Sequence, residues 1–89
     1  MSFKRLRGVP LPYEKQGQIY FTCQNYETAP KYTRLKIDKL CDSAGGDYSS
    51  ALKELVTTGK TAQEVALKHH MSVDTLTRRR KVFYILWSR

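Results

Sequence analysis

The sequence predicts an all-α fold, a small bundle of about five helices, and two observations favour it. First, apolar residues recur at helical spacing in successive segments between residues 13 and 87, and Gly or Pro residues separate most of these segments. Second, residues 19–23 have strand propensity, but the chain offers no partner strands for a stable sheet. With 89 residues, 40% of them hydrophobic, one domain with a small core is expected.

The N-terminal residues 1–12 carry three positive charges, two prolines and one glycine, without hydrophobic periodicity. This composition predicts a flexible basic N-terminal arm in front of a single helical domain at residues 13–89. Basic arms can lie along phosphates or enter a DNA minor groove, and here Lys4, Arg5 and Arg7 would make the contacts. An arm that is merely disordered is the alternative.

The first predicted helix covers residues 13–26, with Pro12 suited to its first turn. A strand is the alternative here, because Gly17 weakens a helix and residues 19–23 favour extended backbone. On a helix, five apolar residues approximate one face: Tyr13, Ile19, Tyr20, Cys23 and Tyr26.

Two further helices are predicted before residue 60. Thr28 and Pro30 start the first of them, and Gly45 and Gly46 end it. Its expected inward residues are Leu35, Ile37, Leu40, Cys41 and Ala44, and its basic outer side is interpreted as solvated or as a secondary DNA backbone contact. Asp47 is expected to cap the next helix, which ends at Gly59. The inward residues of that helix follow the spacing i, i+3, i+4, i+7, i+8: Tyr48, Ala51, Leu52, Leu55 and Val56.

Residues 61–81 have the pattern of two short helices joined by a sharp turn. Thr61 and Glu64 are spaced as a capping box, in which each side chain bonds the other residue's backbone. Residues 69–71 end this helix, and Ser72 caps the next one, whose inward residues are Val73 and Leu76. Ala66 is small enough for a close crossing of the two helices. A helix-turn-helix is therefore predicted, and a plain helical hairpin is the alternative.

This stretch resembles the helix-turn-helix of phage and bacterial transcription regulators and the DNA-reading part of sigma factors. The pairs Val65-Ala66, Met71-Ser72 and Thr75-Leu76 carry the resemblance. The sequence departs from the pattern at His70, where Gly is usual, and at Arg79 or Arg80, where an apolar residue is frequent. The resemblance implies sequence-specific binding of double-stranded DNA.

The distribution of charge favours the same class of partner. Net charge is +8, yet residues 8–74 contain eight basic and eight acidic side chains. The whole excess therefore lies at the two ends of the chain, and the C-terminal part of it follows the second predicted helix of the motif. Clustered Lys and Arg neutralise phosphates and release counterions, so a polyanion is expected. A basic surface that only confers solubility is the alternative.

If the second motif helix enters a major groove, its outward residues reach base edges. These residues are Asp74, Thr75, Thr77, Arg78 and Lys81, and Arg78 is expected to bind guanine through its forked donors. Expected phosphate contacts are Thr61, Gln63, Lys68, Ser72 and Arg80.

Beyond the motif, residues 82–88 extend the same helix with an almost continuous apolar sequence. A helix that is apolar on nearly all sides should be covered on nearly all sides. The cover can come from the rest of the chain or from a second copy, and both are compatible. A dimer or larger assembly would use Phe83, Leu86 and Trp87 as its interface.

Several other classes of function find no support in the sequence. No Gly-rich phosphate loop or paired nucleophile and base occurs, so no enzyme and no cofactor are predicted. Cys23 and Cys41 are interpreted as buried thiols, and His69 and His70 as a packed residue and a turn residue, so no metal site is expected. No run of about 18 apolar residues exists, which predicts no membrane span and a cytoplasmic location in a bacterial host cell.

A wider pattern runs from Asn25-Tyr26 through Gly45-Gly46-Asp47-Tyr48 to Phe83-Tyr84 and Trp87. It resembles small regulators of phages and prophages of Gram-positive bacteria that activate late genes. That resemblance implies transcription regulation, with host RNA polymerase as a further partner. Small terminase subunits, which combine a helix-turn-helix with an oligomerising helix, and recombination accessory proteins that bind DNA are the alternatives.

Overall fold

The computed structural model describes residues 5–89 and is helical throughout its regular structure. Its α-helices are Tyr13–Gln24 (α1), Lys31–Gly45 (α2), Ser49–Thr57 (α3), Ala62–Lys68 (α4) and Val73–Trp87 (α5). Short 3-10 turns at Tyr26–Thr28 and Gly46–Tyr48 follow α1 and α2. Residues 5–89 contain no strand, so the all-helical prediction is confirmed and the strand alternative for residues 19–23 is wrong.

The junction of α2 and α3 shows how local chemistry sets helix ends. Pro30 precedes α2 in extended conformation, and Gly46 follows it at a φ of 55°, which a residue with a Cβ rarely adopts. The predicted stop at Gly45 and Gly46 is confirmed. Asp47 does not cap α3, because the chain passes through the 3-10 turn and α3 begins at Ser49 without a side-chain cap.

The main core joins α1, α2, α3 and α5. α2 packs against both α3 and α5, and Phe83 is the largest fully buried side chain. Three predicted inward residues lie instead on the surface, since Tyr13, Leu35 and Tyr48 are 51%, 50% and 39% exposed. The buried members of this core are Val9, Ile19, Cys23, Ile37, Cys41, Ala44, Leu52, Val56, Phe83 and Tyr84.

A second, smaller core holds α4 and the start of α5 against α3. Ala51 and Leu55 supply the α3 side, and Val65, Ala66 and Leu76 supply the other. Met71 and Ala62 pack at its edge. The small Ala66 is buried here, as predicted for a close crossing. Val73, which was expected to face inward, is 37% exposed.

Residues 5–12 are packed against the domain, which contradicts the prediction of a flexible arm for this part of the chain. Val9 is buried in the main core, and the fully buried amide of Gln16 serves three backbone groups. Its Oε1 accepts from Leu6 N at 2.8 Å, while Nε2 donates to Leu11 O at 3.0 Å and Val9 O at 3.4 Å. Backbone groups outside regular structure need such partners when they leave water. Residues 1–4, including Lys4, lie outside the described residues.

The apolar C-terminal segment belongs to the main core. Phe83 and Tyr84 are buried, and Leu86 and Trp87 pack against the same cluster. Intrachain packing is thereby confirmed for Phe83, Tyr84, Leu86 and Trp87, whereas Val82 is exposed. Phe83 as an interface residue is wrong, because a fully buried side chain has no surface to offer a second copy. Leu86 and Trp87 retain only part of their surface.

Replacing Phe83 by Ala should cost about 3–5 kcal/mol of unfolding free energy, because the change leaves a cavity in the main core. Val82→Ala is the matched control on the same helix turn, since Val82 is 42% exposed. Its effect should stay within about 0.5 kcal/mol. Urea unfolding followed by circular dichroism measures both. Similar losses for the two variants would contradict the assigned orientation of α5.

Candidate nucleic-acid interface

The start of α4 is fixed by a capping box between Thr61 and Glu64. The Thr61 side-chain oxygen accepts a hydrogen bond from Glu64 N at 3.2 Å, and Thr61 N donates to Glu64 Oε1 at 3.4 Å. Both bonds satisfy amides that the first helical turn leaves without partners. The predicted box is confirmed. Thr61 and Gln63 are exposed beside it.

Residues 69–72 form the turn between α4 and α5. His70 adopts a φ of 54°, the left-handed conformation that favours glycine, at the position where Gly is usual in the resembling motif. Met71 N then donates to Ala66 O at 3.0 Å, which closes the turn on the buried Ala66. Ser72 caps α5 by accepting from Thr75 N at 3.0 Å, as predicted.

The N-terminal half of α5 has one covered and one open face. Leu76 is fully buried against α3 and α4, and Arg78 lies two residues later, about 200° around the helix. The Arg78 side chain is 76% exposed and donates to Asp74 Oδ2 at 3.1 Å. Beside it, an open concavity of about 290 Å³ is lined by Thr75, Arg78, Arg79 and Val82.

The other predicted base-reading residues lie nearer the edges of this face. Thr77 is partly buried and donates to Asp74 O at 3.1 Å. Thr75 is also partly buried, and its hydroxyl accepts from the Ser72 hydroxyl at 3.0 Å. The Asp74 side chain is 81% exposed. The centre of the face is therefore Arg78 with Asp74.

The N-terminal segment meets α5 at Lys81. Gly8 has a φ of 78°, and a Cβ at this position would lie 3.1 Å from Lys81 Nζ. This close approach places the segment that carries Arg5 and Arg7, both exposed, next to α5. Basic residues from the two ends of the chain thus meet on one side of the molecule, although the segment is packed and not a free arm.

Arg80, a predicted phosphate contact, is partly buried. It shares the inward side of α5 with Leu76 and Phe83, and its Nε is buried without a hydrogen-bond partner in residues 5–89. Burial lowers the pKa of its guanidinium, and Tyr84 opposes that shift. Arg79, which was not among the predicted site residues, lines the open concavity instead. Spacing alone does not distinguish the two arginines, because Arg79 at i+3 and Arg80 at i+4 both share a helical face with Leu76 and Phe83.

Glu54 on α3 gathers three basic groups around one carboxylate. Lys60 Nζ lies 3.0 Å from its Oε2, and Lys68 Nζ and His69 Nε2 each lie 3.1 Å from its Oε1. Hydrogen bonds from His69, Lys60 and Lys68 lower the pKa of Glu54 to about 2. Lys68, a predicted phosphate contact, therefore forms an ion pair within the fold. The sequence spacing of 14 and 15 residues gave no hint of this cluster.

No protein-family model, curated protein or solved structure matches this chain. Among the residues described, no three His, Cys, Asp or Glu side chains are grouped to hold a metal ion. Over the same range, no helix combines the length and hydrophobicity needed to cross a bilayer. Function is therefore inferred from the geometry of α4, α5 and their surroundings.

His70→Gly should stabilise the protein by about 1 kcal/mol, because Gly adopts the left-handed conformation of this turn without the strain of a Cβ. His70→Ala keeps the Cβ and removes only the imidazole, which makes it the matched control. Thermal unfolding should show a higher midpoint for the Gly variant alone. A lower midpoint for His70→Gly than for His70→Ala would contradict strain at this position.

Glu54→Gln should reduce stability at pH 7 and flatten its decline in acid. Because the folded pKa of Glu54, about 2, lies below its ordinary value of 4.5, its stabilisation is present above pH 4.5. That stabilisation is lost as pH falls through about 2. Glu27→Gln is the control, an exposed carboxylate that forms no ion pair in residues 5–89. Urea unfolding from pH 7 to 2 tests this, and parallel pH profiles for wild type and Glu54→Gln would refute it.

Proposed function

We propose that the protein binds double-stranded DNA sequence-specifically, with α4, the turn and α5 acting as a helix-turn-helix. The observation that carries this proposal is the open face of α5. One side of α5 is held by both cores, while the opposite side presents Arg78 without a covering element. An isolated α-helix of this width fits the major groove. Side-chain caps fix the residues at which α4 and α5 begin.

Base recognition is assigned to Arg78, with Asp74 as its positioning partner. The guanidinium fork matches the O6 and N7 acceptors of guanine. In free protein, the hydrogen bond from Arg78 to Asp74 holds this side chain along the helix surface. When Arg78 turns to a guanine, the released Asp74 carboxylate can accept from the N4 amino group of a neighbouring cytosine. Both groups then have hydrogen-bond partners on the base edges in place of each other.

Phosphate contacts are assigned to groups that surround this face. Ser72 lies at the start of α5, where free amides and the helix dipole favour an anion. Lys81, Arg5 and Arg7 supply positive charge on the side where the N-terminal segment meets α5. Gln63 and Thr61 supply exposed polar groups on α4. Lys68, which is 59% exposed but paired with Glu54, and Arg80, which is partly buried, are secondary candidates for phosphate contacts.

A role in transcription regulation of a phage or prophage is proposed on the resemblance of residues 61–81 to known regulators, with host RNA polymerase as a further partner. The small-terminase alternative has less support, because it requires an assembling helix after the motif. Phe83, one of the three predicted interface residues, is buried in the protein's own core. A regulator needs no such assembly to occupy a single half-site.

The test compares two arginines of the same charge. A target is first selected from a pool of random duplexes, and binding to target and random DNA is then measured by fluorescence anisotropy at several salt concentrations. Arg78→Ala should lose about 1–3 kcal/mol on the target and much less on random duplex. Arg89→Ala, at the exposed C-terminus, should bind both as wild type does.

Wild-type affinity should fall steeply with salt, by about 0.9 log units per phosphate contact for each tenfold increase. Thermal unfolding of both variants verifies that the fold is kept. Absence of duplex binding at low salt would remove the proposal. Equal losses for Arg78→Ala on target and random DNA would reassign Arg78 to the backbone and leave specificity to other residues.

A further inference from the structure

We infer that the outer face of α2 is a docking surface for an acidic amphipathic helix of another protein. This face is directly opposite the α2 residues buried in the main core, such as Ile37 and Cys41. Tyr32 is 76% exposed and Leu35 is 50% exposed. With Lys36, Lys39 and Leu40 they line one open concavity of about 380 Å³, which we call the α2 groove.

The α2 groove is a shallow depression along one face of α2, and its composition suits a second helix packed along that face. Its lining residues follow the spacing i, i+3, i+4, i+7, i+8 from Tyr32 to Leu40. They therefore form a continuous stripe about 12 Å long, or two helical turns. Two turns match the i, i+3, i+4, i+7 anchors by which an amphipathic helix binds a groove. An exposed Tyr beside an exposed Leu is also typical of residues that concentrate binding energy.

The charge around the α2 groove determines the chemistry of its occupant. Lys31 and Lys39 form no ion pair in residues 5–89, and Lys36 Nζ lies over the Trp87 ring at 4.3 Å from its centroid. Asp38 on the flank is already bound by Lys53 at 3.0 Å and by the Tyr26 hydroxyl. Asp42, one turn beyond Lys39, is the remaining acidic group on this side. The rim is thus positive, and a partner helix with apolar anchors flanked by Glu or Asp is complementary.

A second copy of this chain fits the α2 groove poorly. In a two-fold pairing, two surfaces with a positive rim would be brought together, which repels. Duplex DNA also fits poorly. At the centre of the groove, Tyr32 and Leu35 offer a phosphate only one hydrogen-bond donor, the Tyr32 hydroxyl. The groove ends near Trp87, while Arg78 lies nine residues earlier on α5, so about 13 Å of helix separates the two sites along that axis. Both surfaces can therefore be occupied together.

The experiment uses a displayed library of amphipathic helical peptides, with apolar anchors at i, i+3, i+4 and i+7 and flanking positions that vary among Glu, Gln and Lys. The full-length protein is the bait. Enriched peptides should carry Glu at the flanks and bind Tyr32→Ser/Leu35→Ser at least about tenfold more weakly than wild type. Lys39→Glu should reverse the preference of the flanks. Both residues of the double variant are exposed, so circular dichroism should show an unchanged fold.

A matched control exchanges two apolar side chains elsewhere on the surface. Leu67→Ser/Val82→Ser should bind the enriched peptides as wild type does, because Leu67 and Val82 are exposed on α4 and α5. No enrichment, enrichment of neutral or basic peptides, or equal binding by Tyr32→Ser/Leu35→Ser would each overturn the inference. Sedimentation that shows a wild-type dimer dissociated by Tyr32→Ser/Leu35→Ser would overturn it too, in favour of a self-interface.

Discussion

The structure depends on the burial of two adjacent faces of α3. Leu52 and Val56 lie in the main core with α1, α2 and α5, whereas Ala51 and Leu55 lie in the smaller core with α4 and the start of α5. One nine-residue helix therefore connects the two cores. In a chain of this size neither core excludes much water alone. The orientation of α4 and α5 relative to the rest of the molecule follows from this shared helix, and Glu54 adds ionic contacts from α3 to the end of α4.

α5 carries structure and candidate function on one rigid element. Its C-terminal half supplies Phe83 to the main core, and its N-terminal half supplies Leu76 to the smaller core. The helix is therefore held at two points along its length. A side chain on the opposite face, such as Arg78, is then presented from a backbone that cannot rotate without opening a core. Recognition of base edges needs positioning of this kind, because a small displacement breaks a bidentate hydrogen bond. The buried apolar residues of this segment thus support the presented face by holding the helix in place.

What could be predicted from the sequence was local. The pairing of Thr61 with Glu64, the cap at Ser72 and the stop at Gly45 and Gly46 depend on residues within one turn, so spacing alone identifies them. Long-range contacts could not be predicted. Gln16 holds residues 6–11 through three backbone bonds, and Glu54 binds side chains 14 and 15 positions away. Both contacts changed the candidate site. The Gln16 contacts convert a predicted free arm into a packed segment, and the Glu54 contacts place Lys68 in an ion pair.

The fold also redistributes the charge that the sequence places at the chain ends. Arg80 is partly buried and Lys68 is paired with Glu54, while α5 also carries Arg78, Arg79 and Lys81 and lies next to the segment with Arg5 and Arg7. The neutral middle of the chain divides in a similar way. Asp38 and Glu54 are held in ion pairs on the flanks of α2 and α3, while Lys31 and Lys39, near the α2 groove, form no ion pair within residues 5–89. A positive patch that is polar throughout suits phosphates, whereas one centred on Tyr32 and Leu35 suits an apolar partner with acidic flanks. The basic residues of the chain therefore form two surfaces of different chemistry, the open face of α5 and the α2 groove. The two surfaces differ in the side chains that surround each lysine or arginine.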